Sequence, residues 1–541
     1  MGRFCPPVGL ACWPQQLVPI QACPWLPAMT VSLEFGLVNA ANRYLTAEPF
    51  RFQVAATGKQ LKPRQVWVLQ FVSPHGAGAA GPGEGAGQKL HLVSALKRFL
   101  ASDPNGKVTC DQDKPGPQTF FLLHQYPDGK VSFQNEQSKR YLGGAEENVT
   151  CFAQAASETE KWTLHLAVHP NVAMYSPNRK RYVRCDEKAG VLRCDRDLPW
   201  GAESVITIYY DFKGLDSVAH NADRREFSPY IPVKKYGLRN GAGKLLASNG
   251  SLVSEVTPDT LYSLEIHGGL IALRDDERKY LTGREGGMKT VKMDKPGRDE
   301  LFSVESSPAQ VSMRSFSTNK FICCRPGADL YANAMAVGNT EIFQLLFDDT
   351  AKKVCFRGHC GTYMSLGPND CIVSSTKQDK NVWFDLQYQD QKVTLRIGDK
   401  YVSMRPNGQL LAIPKAAGKS EDFLLVLVNR PLLVLHSDAG YVGVGADVRR
   451  LEGNCVSYVA SSLSLTEEGY YNFQIGSKYW ALEKDGQISI TSDHPTNFTI
   501  QFASASCLII RASNNKFLVA EQGGRLVAVA SDPSSATLFH Y

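Results

Sequence analysis

The chain has 541 residues, of which 43% are apolar and 21% are charged, so it is long enough to bury several hydrophobic cores. Its formal net charge of +6 comes from 59 basic and 53 acidic residues, which excludes the strong positive field of a general nucleic-acid binder. The sequence holds no run of about 18 uninterrupted apolar residues, which excludes a membrane-inserted helix.

The N-terminal segment does not fit a secretory signal. Four prolines, from Pro6 to Pro19, interrupt the apolar stretch that would form its core, and Met29 immediately precedes the first patterned strand. We therefore expect residues 1–28 to be an unstructured extension. Fourteen cysteines at irregular spacing are typical of free thiols in a reducing compartment, so we expect a cytoplasmic protein.

A basic-aromatic-aliphatic triplet recurs along the chain, as in RYL at 43–45 and KYL at 279–281. Its twelve copies centre on Tyr44, Phe99, Tyr141, Tyr182, Leu245, Tyr280, Phe321, Tyr363, Tyr401, Tyr441, Tyr479 and Phe517. Nine of the eleven spacings are 35 to 42 residues. The two longer ones contain a Gly/Ala-rich run at 73–88 and an irregular insertion at 215–233.

Each repeat of about 40 residues contains four short alternating segments bounded by turn residues, which predicts four strands and no long helix. A large aromatic usually opens the fourth strand, and we expect these residues to fill the core. They are Trp67, Trp162, Tyr262, Phe302, Phe343, Trp383, Phe423 and Phe498. Both a β-propeller and a β-trefoil use such repeats, and the spacing alone leaves the choice open.

Several longer segments resemble fascins, in the fascin order. They include FGLVNAANRYLTAEPF at 35–50, KPGRDELFSVE at 295–305 and VNRPLLVLHSDAGYVG at 428–443. The resemblance covers roughly residues 29–541 and implies an all-β protein of four tandem β-trefoil domains. The expected domains are 29–169, 170–308 with the insertion 215–233, 309–429 and 430–541.

The resemblance also implies function, because fascins crosslink actin filaments into tight parallel bundles as monomers with more than one actin-binding face. Filamentous actin is acidic, so clusters of Lys and Arg are expected to bind it. The candidates are Arg43, Lys62, Arg64, Arg179, Lys180, Arg181, Lys289, Lys292, Lys295, Arg298, Arg405, Arg430 and Lys478. The expected setting is the actin cytoskeleton of cell protrusions.

The chain departs from the fascin pattern at four positions. Gln60 stands where the family has a regulatory phosphoserine, and Pro63 stands where a lysine is usual. Thr362 and Ala439 replace a basic residue and a histidine. These changes leave open a cytosolic scaffold that has the fold but does not bundle filaments.

Signatures of catalysis are lacking, so we expect neither an enzyme nor a cofactor. The segment GLRNGAGKLL at 237–246 only superficially resembles a phosphate-binding loop, because Leu245 stands where Ser or Thr would hold Mg²⁺. The residues Cys355, His359, Cys360 and Cys371 do not have common zinc-finger spacing, and packed thiols are the favoured interpretation. A trefoil lectin remains an alternative, although its Gln-x-Trp motif occurs only at 65–67.

Overall fold

The computed structural model describes residues 33–72, 87–145, 147–211, 235–284, 287–445 and 447–541. The predicted extension 1–28, the insertion 215–233 and most of the Gly/Ala-rich run lie outside these ranges. The described residues form short antiparallel strands and one-turn 3-10 helices, and none of their helices is long and apolar enough to cross a bilayer. The predicted all-β fold is confirmed.

The first trefoil is a closed barrel of six strands capped by three hairpins. Its strands are β1 Leu33–Val38, β2 Tyr44–Ala47, β3 Val54–Gly58, β4 Val66–Phe71, β5 Gln88–Ser94, β6 Phe99–Ser102, β7 Val108–Gln112, β8 Phe121–Gln125, β9 Val131–Asn135, β10 Tyr141–Ala145, β11 Asn148–Ala153 and β12 Thr163–Leu166. The barrel runs β1-β4-β5-β8-β9-β12, and a backbone bridge between Val131 and Trp162 joins the last pair before β12 returns to β1.

The second trefoil repeats this order. Its strands are β13 Asn171–Ser176, β14 Arg181–Asp186, β15 Val191–Arg196, β16 Ile206–Asp211, β17 Lys235–Arg239, β18 Leu245–Leu246, β19 Leu252–Val253, β20 Ser263–His267, β21 Leu270–Arg274, β22 Lys279–Thr282, β23 Lys289–Lys292 and β24 Ser303–Ser306. Bridges from Tyr236 to Tyr262 and from Ile271 to Phe302 complete the ring β13-β16-β17-β20-β21-β24.

The third trefoil closes in the same way. Its strands are β25 Gln310–Ser315, β26 Phe321–Cys323, β27 Tyr331–Ala334, β28 Ile342–Asp348, β29 Lys353–Gly358, β30 Tyr363–Leu366, β31 Ile372–Ser375, β32 Asp385–Gln389, β33 Lys392–Ile397, β34 Lys400–Met404, β35 Leu410–Ala412 and β36 Phe423–Leu427. A bridge between Val354 and Phe384 joins β29 to β32.

The fourth trefoil has a divided first strand. Its strands are β37 Leu432–Leu433, β38 His436–Ser437, β39 Gly440–Val444, β40 Leu451–Cys455, β41 Ser461–Leu465, β42 Tyr471–Ile475, β43 Lys478–Leu482, β44 Ile488–Ser492, β45 Thr499–Phe502, β46 Cys507–Arg511, β47 Phe517–Ala520, β48 Leu526–Ala530 and β49 Phe539–His540. β37 pairs with β41 and β38 with β49, so the two halves together close the barrel. Three repeats thus form each barrel, which excludes a propeller.

One-turn 3-10 helices recur between the strands, most often just before the fourth strand of a repeat. They are Phe50–Phe52, Pro63–Gln65, Pro117–Thr119, Ala202–Ser204, Pro258–Thr260, Arg298–Glu300, Asn339–Glu341, Pro368–Asp370, Lys380–Val382 and Pro533–Ser535. The predicted domain limits after residues 169, 308 and 429 fall between the barrels, and we retain them as proposed limits.

The repeated triplet has a structural explanation in the core. Its third residue is buried in every repeat, as Leu45 and Leu142 illustrate, and it is aliphatic in all but one repeat, which has Trp480. The aromatic residue of the fourth strand packs beside it: Trp67 Nε1 donates to the Leu45 carbonyl at 2.9 Å, and Trp162 Nε1 donates to the Leu142 carbonyl at 3.0 Å. Each indole N–H group therefore keeps a hydrogen-bond acceptor although the ring is buried.

The prediction that Trp383 fills the core is wrong. Trp383 is only partly buried, whereas the next residue, Phe384, is fully buried. Phe384 forms the backbone bridge with Val354, and its ring centroid lies 6.3 Å from that of Phe356. Because neighbouring residues of a strand point to opposite faces, the bridge fixes which of the two aromatics points inward.

The trefoils pack on one another through side-chain-to-backbone hydrogen bonds. Gln88 and Gln125 of the first trefoil both donate to the Ile266 carbonyl of the second, at 2.6 and 2.7 Å. Asn171 of the second donates to the Leu432 carbonyl of the fourth at 2.8 Å. Buried apolar side chains are continuous across trefoils one and two, and across trefoils three and four. Two paired lobes result.

Replacing Phe384 with Ala should destabilise the protein by about 3–5 kcal/mol, because it removes a fully buried ring and leaves a cavity. Trp383→Ala should cost less, although tryptophan is larger, because its ring is only partly buried. Urea unfolding followed by fluorescence and circular dichroism measures both. A larger loss for Trp383→Ala would contradict the register of β32.

Acid should weaken the junction of the trefoils. His165 is buried 2.8 Å from the Tyr44 hydroxyl, and burial lowers the pKa values of His165 and His169 from 6.5 to about 3. The unfolded chain then binds more protons between pH 6.5 and about 3, so this stabilisation is complete above pH 6.5 and is lost as the pH falls toward 3. Each histidine should contribute up to about 1.4 kcal/mol per pH unit.

Melting temperatures measured across this pH range test the prediction, with His165→Gln as the variant and exposed His494→Gln as its control. The His165 variant should show a flatter pH dependence and the control should not. Equal pH dependence in all three proteins would refute a buried neutral His165.

Candidate functional site

The first group of candidate residues lies around β2 of the first trefoil. Arg43 precedes β2, and Lys62 precedes the 3-10 turn that leads into β4. The two segments meet over Gly36, where an added Cβ atom would lie 2.6 Å from Leu61 Cδ1 and 2.8 Å from Tyr44 Cε1. Tyr44 follows Arg43 and Leu61 precedes Lys62, and both side chains lie against Gly36. The two cations therefore lie on adjacent loops.

Arg64 completes this group on the same turn. Its Nη1 atom lies 3.4 Å from Glu48 Oε2, and 60% of its side chain is exposed. Gln65 holds the turn, because its Oε1 accepts from the Lys62 N–H at 3.2 Å and its Nε2 donates to Thr46 Oγ1 at 3.0 Å. An exposed ion pair contributes little to stability, so Arg64 can exchange partners. We call Arg43, Lys62 and Arg64 the first-trefoil cluster.

Of the predicted basic triplet 179–181, the first two residues lie in the turn between β13 and β14, and Arg181 begins β14. Lys180 is exposed and has a left-handed φ of 55°. Lys139 has φ 58° at the same point of another repeat, so this conformation belongs to the repeat's turn and is no sign of function. Arg181 Nη1 lies 3.0 Å from Asp197 Oδ1, which partly offsets its charge.

A second basic segment lies on the hairpin of β22 and β23. Lys289 and Lys292 are exposed at the two ends of β23, and Lys292 lies directly opposite Lys279. Like charges facing each other across strands are destabilising, and Lys279 Nζ is drawn 2.5 Å from Glu277 Oε2. Lys292 keeps its charge free of any ion pair with a described residue, so the hairpin retains positive charge at some cost to stability.

These two segments of the second trefoil lie side by side. Asn178 Nδ2 donates to Asp299 Oδ1 at 2.8 Å, which ties the turn before Arg179 to the 3-10 turn that begins at Arg298. In addition, an added Cβ atom at Gly283, directly after β22, would lie 3.6 Å from Arg179 Cδ. Candidates more than 100 residues apart in sequence thus share one surface.

The sequence interpretation missed one member of this surface. Arg284 has a side chain that is 55% exposed, and its Nε lies 3.5 Å from both Asp299 Oδ2 and Glu300 Oε1. Only its position after the KYLT strand could have suggested it, because it belongs to no basic run. Lys295 instead lines a cleft with Gln125 and Lys130 of the first trefoil. We call the other residues the second-trefoil surface: Arg179, Lys180, Arg181, Arg284, Lys289, Lys292 and Arg298.

The candidates in the last two trefoils are more scattered. Arg405 is exposed in the turn between β34 and β35 of the third trefoil. Lys478 begins β43 of the fourth and lies 2.7 Å from Asp493 Oδ1, with 43% of its side chain exposed. Arg405 and Lys478 lie in different trefoils and belong to no basic run, so they do not form a cluster comparable to the other two.

Arg430 is a correction, because it does not reach the surface. Only 2% of it is exposed, and its Nη1 atom donates to the Asn429 carbonyl at 2.9 Å and to Ser307 Oγ at 3.2 Å. Its guanidinium also lies 5.5 Å from the centre of the Tyr541 ring, and burial lowers its pKa to about 10. It holds the connection between the two lobes and is removed from the list of filament contacts.

The four Cys and His residues near 355–371 do not converge. Cys355 is fully buried and Cys360 is exposed, and burial raises the pKa of the Cys355 thiol to about 12. Within the described ranges no three Cys, His, Asp or Glu side chains are grouped closely enough to hold a metal ion.

Comparison with known proteins agrees with this architecture. A model of the fascin domain matches residues 41–164, 226–304, 317–425 and 462–541. Fascin-2 of Mus musculus is 32% identical over 515 residues, covering 94% of this chain and 98% of that protein. Fascin of Strongylocentrotus purpuratus is 29% identical over 536 residues, covering 95% and 100%.

A more distant relative, Fascin-3 of Mus musculus, is 24% identical over 514 residues and covers 94% of this chain and 97% of that protein. The matches span all four barrels and nearly the whole length of each relative. The chain therefore belongs to the fascin family of structural, actin-bundling proteins.

Proposed function

We propose that this chain crosslinks actin filaments into bundles as a monomer, without enzymatic activity. The observation that carries the proposal is the presence of two basic clusters on two different trefoils. A crosslinker needs two sites, and the first-trefoil cluster and the second-trefoil surface supply them. Its place in the fascin family supports actin as the partner.

The second-trefoil surface carries more positive charge than the first-trefoil cluster. Among the described residues Arg181 and Arg284 are in ion pairs, whereas Lys289, Lys292 and Arg298 are in none. These uncompensated cations stand on a hairpin and a short turn that are anchored by backbone pairing. Because these cations have no ion pair within the described chain to give up, they are available to an acidic filament.

The proposed cellular location follows from actin as the proposed partner. We propose that the protein works in the cytoplasm, on actin bundles that support cell protrusions. The described cysteines are unpaired thiols, in agreement with a reducing compartment. A non-bundling scaffold is the competing outcome, and the experiments below separate it from a crosslinker.

Bundling should fall as salt rises, because the Debye length shortens from about 10 Å at 0.1 M to about 3 Å at 1 M and screens exposed cations. Low-speed sedimentation measures bundles, and high-speed sedimentation measures binding to single filaments. Filament binding without pelleted bundles would indicate a one-site scaffold. Absence of binding even at the lowest salt would remove actin as the partner.

Charge reversal at the hairpin should separate bundling from binding. In the double variant Lys289→Glu/Lys292→Glu one of the two sites is impaired, and we expect roughly a fivefold loss of affinity at that site for each lysine. Bundles should therefore decrease strongly while single-filament binding persists through the first-trefoil cluster. The same two centrifugation assays and electron micrographs report this.

The matched control is Lys377→Glu/Lys419→Glu, which makes the same charge change at two exposed lysines of the third trefoil that belong to neither cluster. It should bundle nearly as well as the parent protein. An equal loss in both double variants would show that net charge, and not the second-trefoil surface, governs bundling.

A further inference from the structure

Four side chains form a row across neighbouring strands of the fourth trefoil. Tyr441 on β39 pairs with His436 on β38, His436 pairs with His540 on β49, and His540 pairs with Cys507 on β46. Ring centroids lie 4.5 Å apart for Tyr441 and His436 and 6.4 Å apart for the two histidines. Because residues paired across strands point to one face, the row places a thiol beside an imidazole.

The thiol and the imidazole are in direct contact. Cys507 Sγ lies 3.3 Å from His540 Nδ1, a hydrogen-bonding distance for sulfur. His540 is exposed while Cys507 is largely covered, so the pair lies at the edge of the barrel with its basic partner facing solvent. The Cys507 N–H also donates to Ser504 Oγ at 3.1 Å, which fixes the loop before β46.

The electrostatics favour the ionised pair. Burial raises the pKa of the Cys507 thiol, but hydrogen bonds from His540 and Ser504 outweigh burial, and the net pKa is lowered. The hydrogen bond with Cys507 raises the pKa of His540, and burial opposes it. Other described thiols, such as Cys110 and Cys455, have pKa values raised to about 11 by burial.

The groups that face this pair come from several elements. They are His436 on β38, Asp438 in the turn after it, His169 before β13, and Tyr541 after β49. Asp438 favours the protonated imidazole, whereas His436 and His169 are neutral because burial lowers their pKa values to about 4 and about 3. The Asp438 carboxylate is thus ionised near pH 7, and so is the Arg430 guanidinium, whose Nη2 donates to the Tyr541 carbonyl at 3.3 Å.

We propose that Cys507 and His540 form a nucleophilic dyad, a modification site for soft electrophiles of the α,β-unsaturated carbonyl class. In the reaction the Cys507 thiolate attacks the β-carbon, a sulfur–carbon bond forms, and the carbon–carbon π bond breaks. Its electron pair moves to the α-carbon, which takes up the proton that His540 holds. Atoms and charge balance, and the step requires no oxidant.

The site is independent of the actin proposal. Cys507 and His540 belong to neither basic cluster, and the reaction depends only on the contact between two side chains. The exposed Cys360 of the third trefoil provides an internal comparison, since its labelling can be followed in the same sample.

The test is the pH profile of labelling by N-ethylmaleimide, followed residue by residue by peptide mass spectrometry on the full-length folded protein. The rate at Cys507 should reach half its maximum at a lower pH than the rate at Cys360. A midpoint one unit lower would raise the thiolate fraction near neutral pH by about tenfold. Using the midpoint removes the effect of unequal exposure on absolute rates.

His540→Gln removes the base, and His494→Gln changes an exposed histidine of the same barrel as a matched control. The first should raise the Cys507 midpoint to that of an ordinary thiol, and the second should leave it unchanged. No labelling of Cys507 in the folded parent protein, or the same midpoint for Cys507 and Cys360, would overturn the proposal. That comparison within the parent protein holds even where a variant folds poorly.

Discussion

A four-stranded repeat of about 40 residues cannot bury its own apolar face, and this constraint determines the rest of the molecule. Only when three repeats close a barrel do the strand edges find partners and the inward side chains find one another. In the first trefoil closure depends on the backbone bridge between Val131 and Trp162, and the indole N–H is satisfied by the Leu142 carbonyl. In the first and third repeats the aromatic and the aliphatic residue are thus two halves of one contact.

Barrel closure also decides where charge can lie. Inward positions are filled by apolar side chains, so cations are left to the hairpins and turns between barrel strands. Lys292 stands opposite Lys279 on such a hairpin, and Arg179 reaches Gly283 from the neighbouring repeat. A fold built for core packing therefore gathers basic residues from distant parts of the sequence onto one rigid surface.

Periodicity predicted the all-β fold well, because strand alternation and turn residues are local properties. The structure adds that all twelve triplets lie at the start of the second strand of a repeat. Periodicity was wrong at Trp383, because side-chain size does not reveal which of two adjacent aromatics faces inward. The list of filament contacts implied by the family resemblance was wrong at Arg430, whose burial depends on how the connection between the lobes packs against Ser307 and Tyr541. The contact of Arg284 with Asp299 and Glu300 is not visible without the fold.

The central claim is that one molecule contacts two filaments through different trefoils. Cryo-electron microscopy of bundles formed with the purified protein tests it most directly, at a resolution that distinguishes the four barrels. We expect each bridge to be a single chain, with the first-trefoil cluster against one filament and the second-trefoil surface against the other. Bridges made of two chains, or a single chain touching both filaments with these clusters facing solvent, would contradict the account.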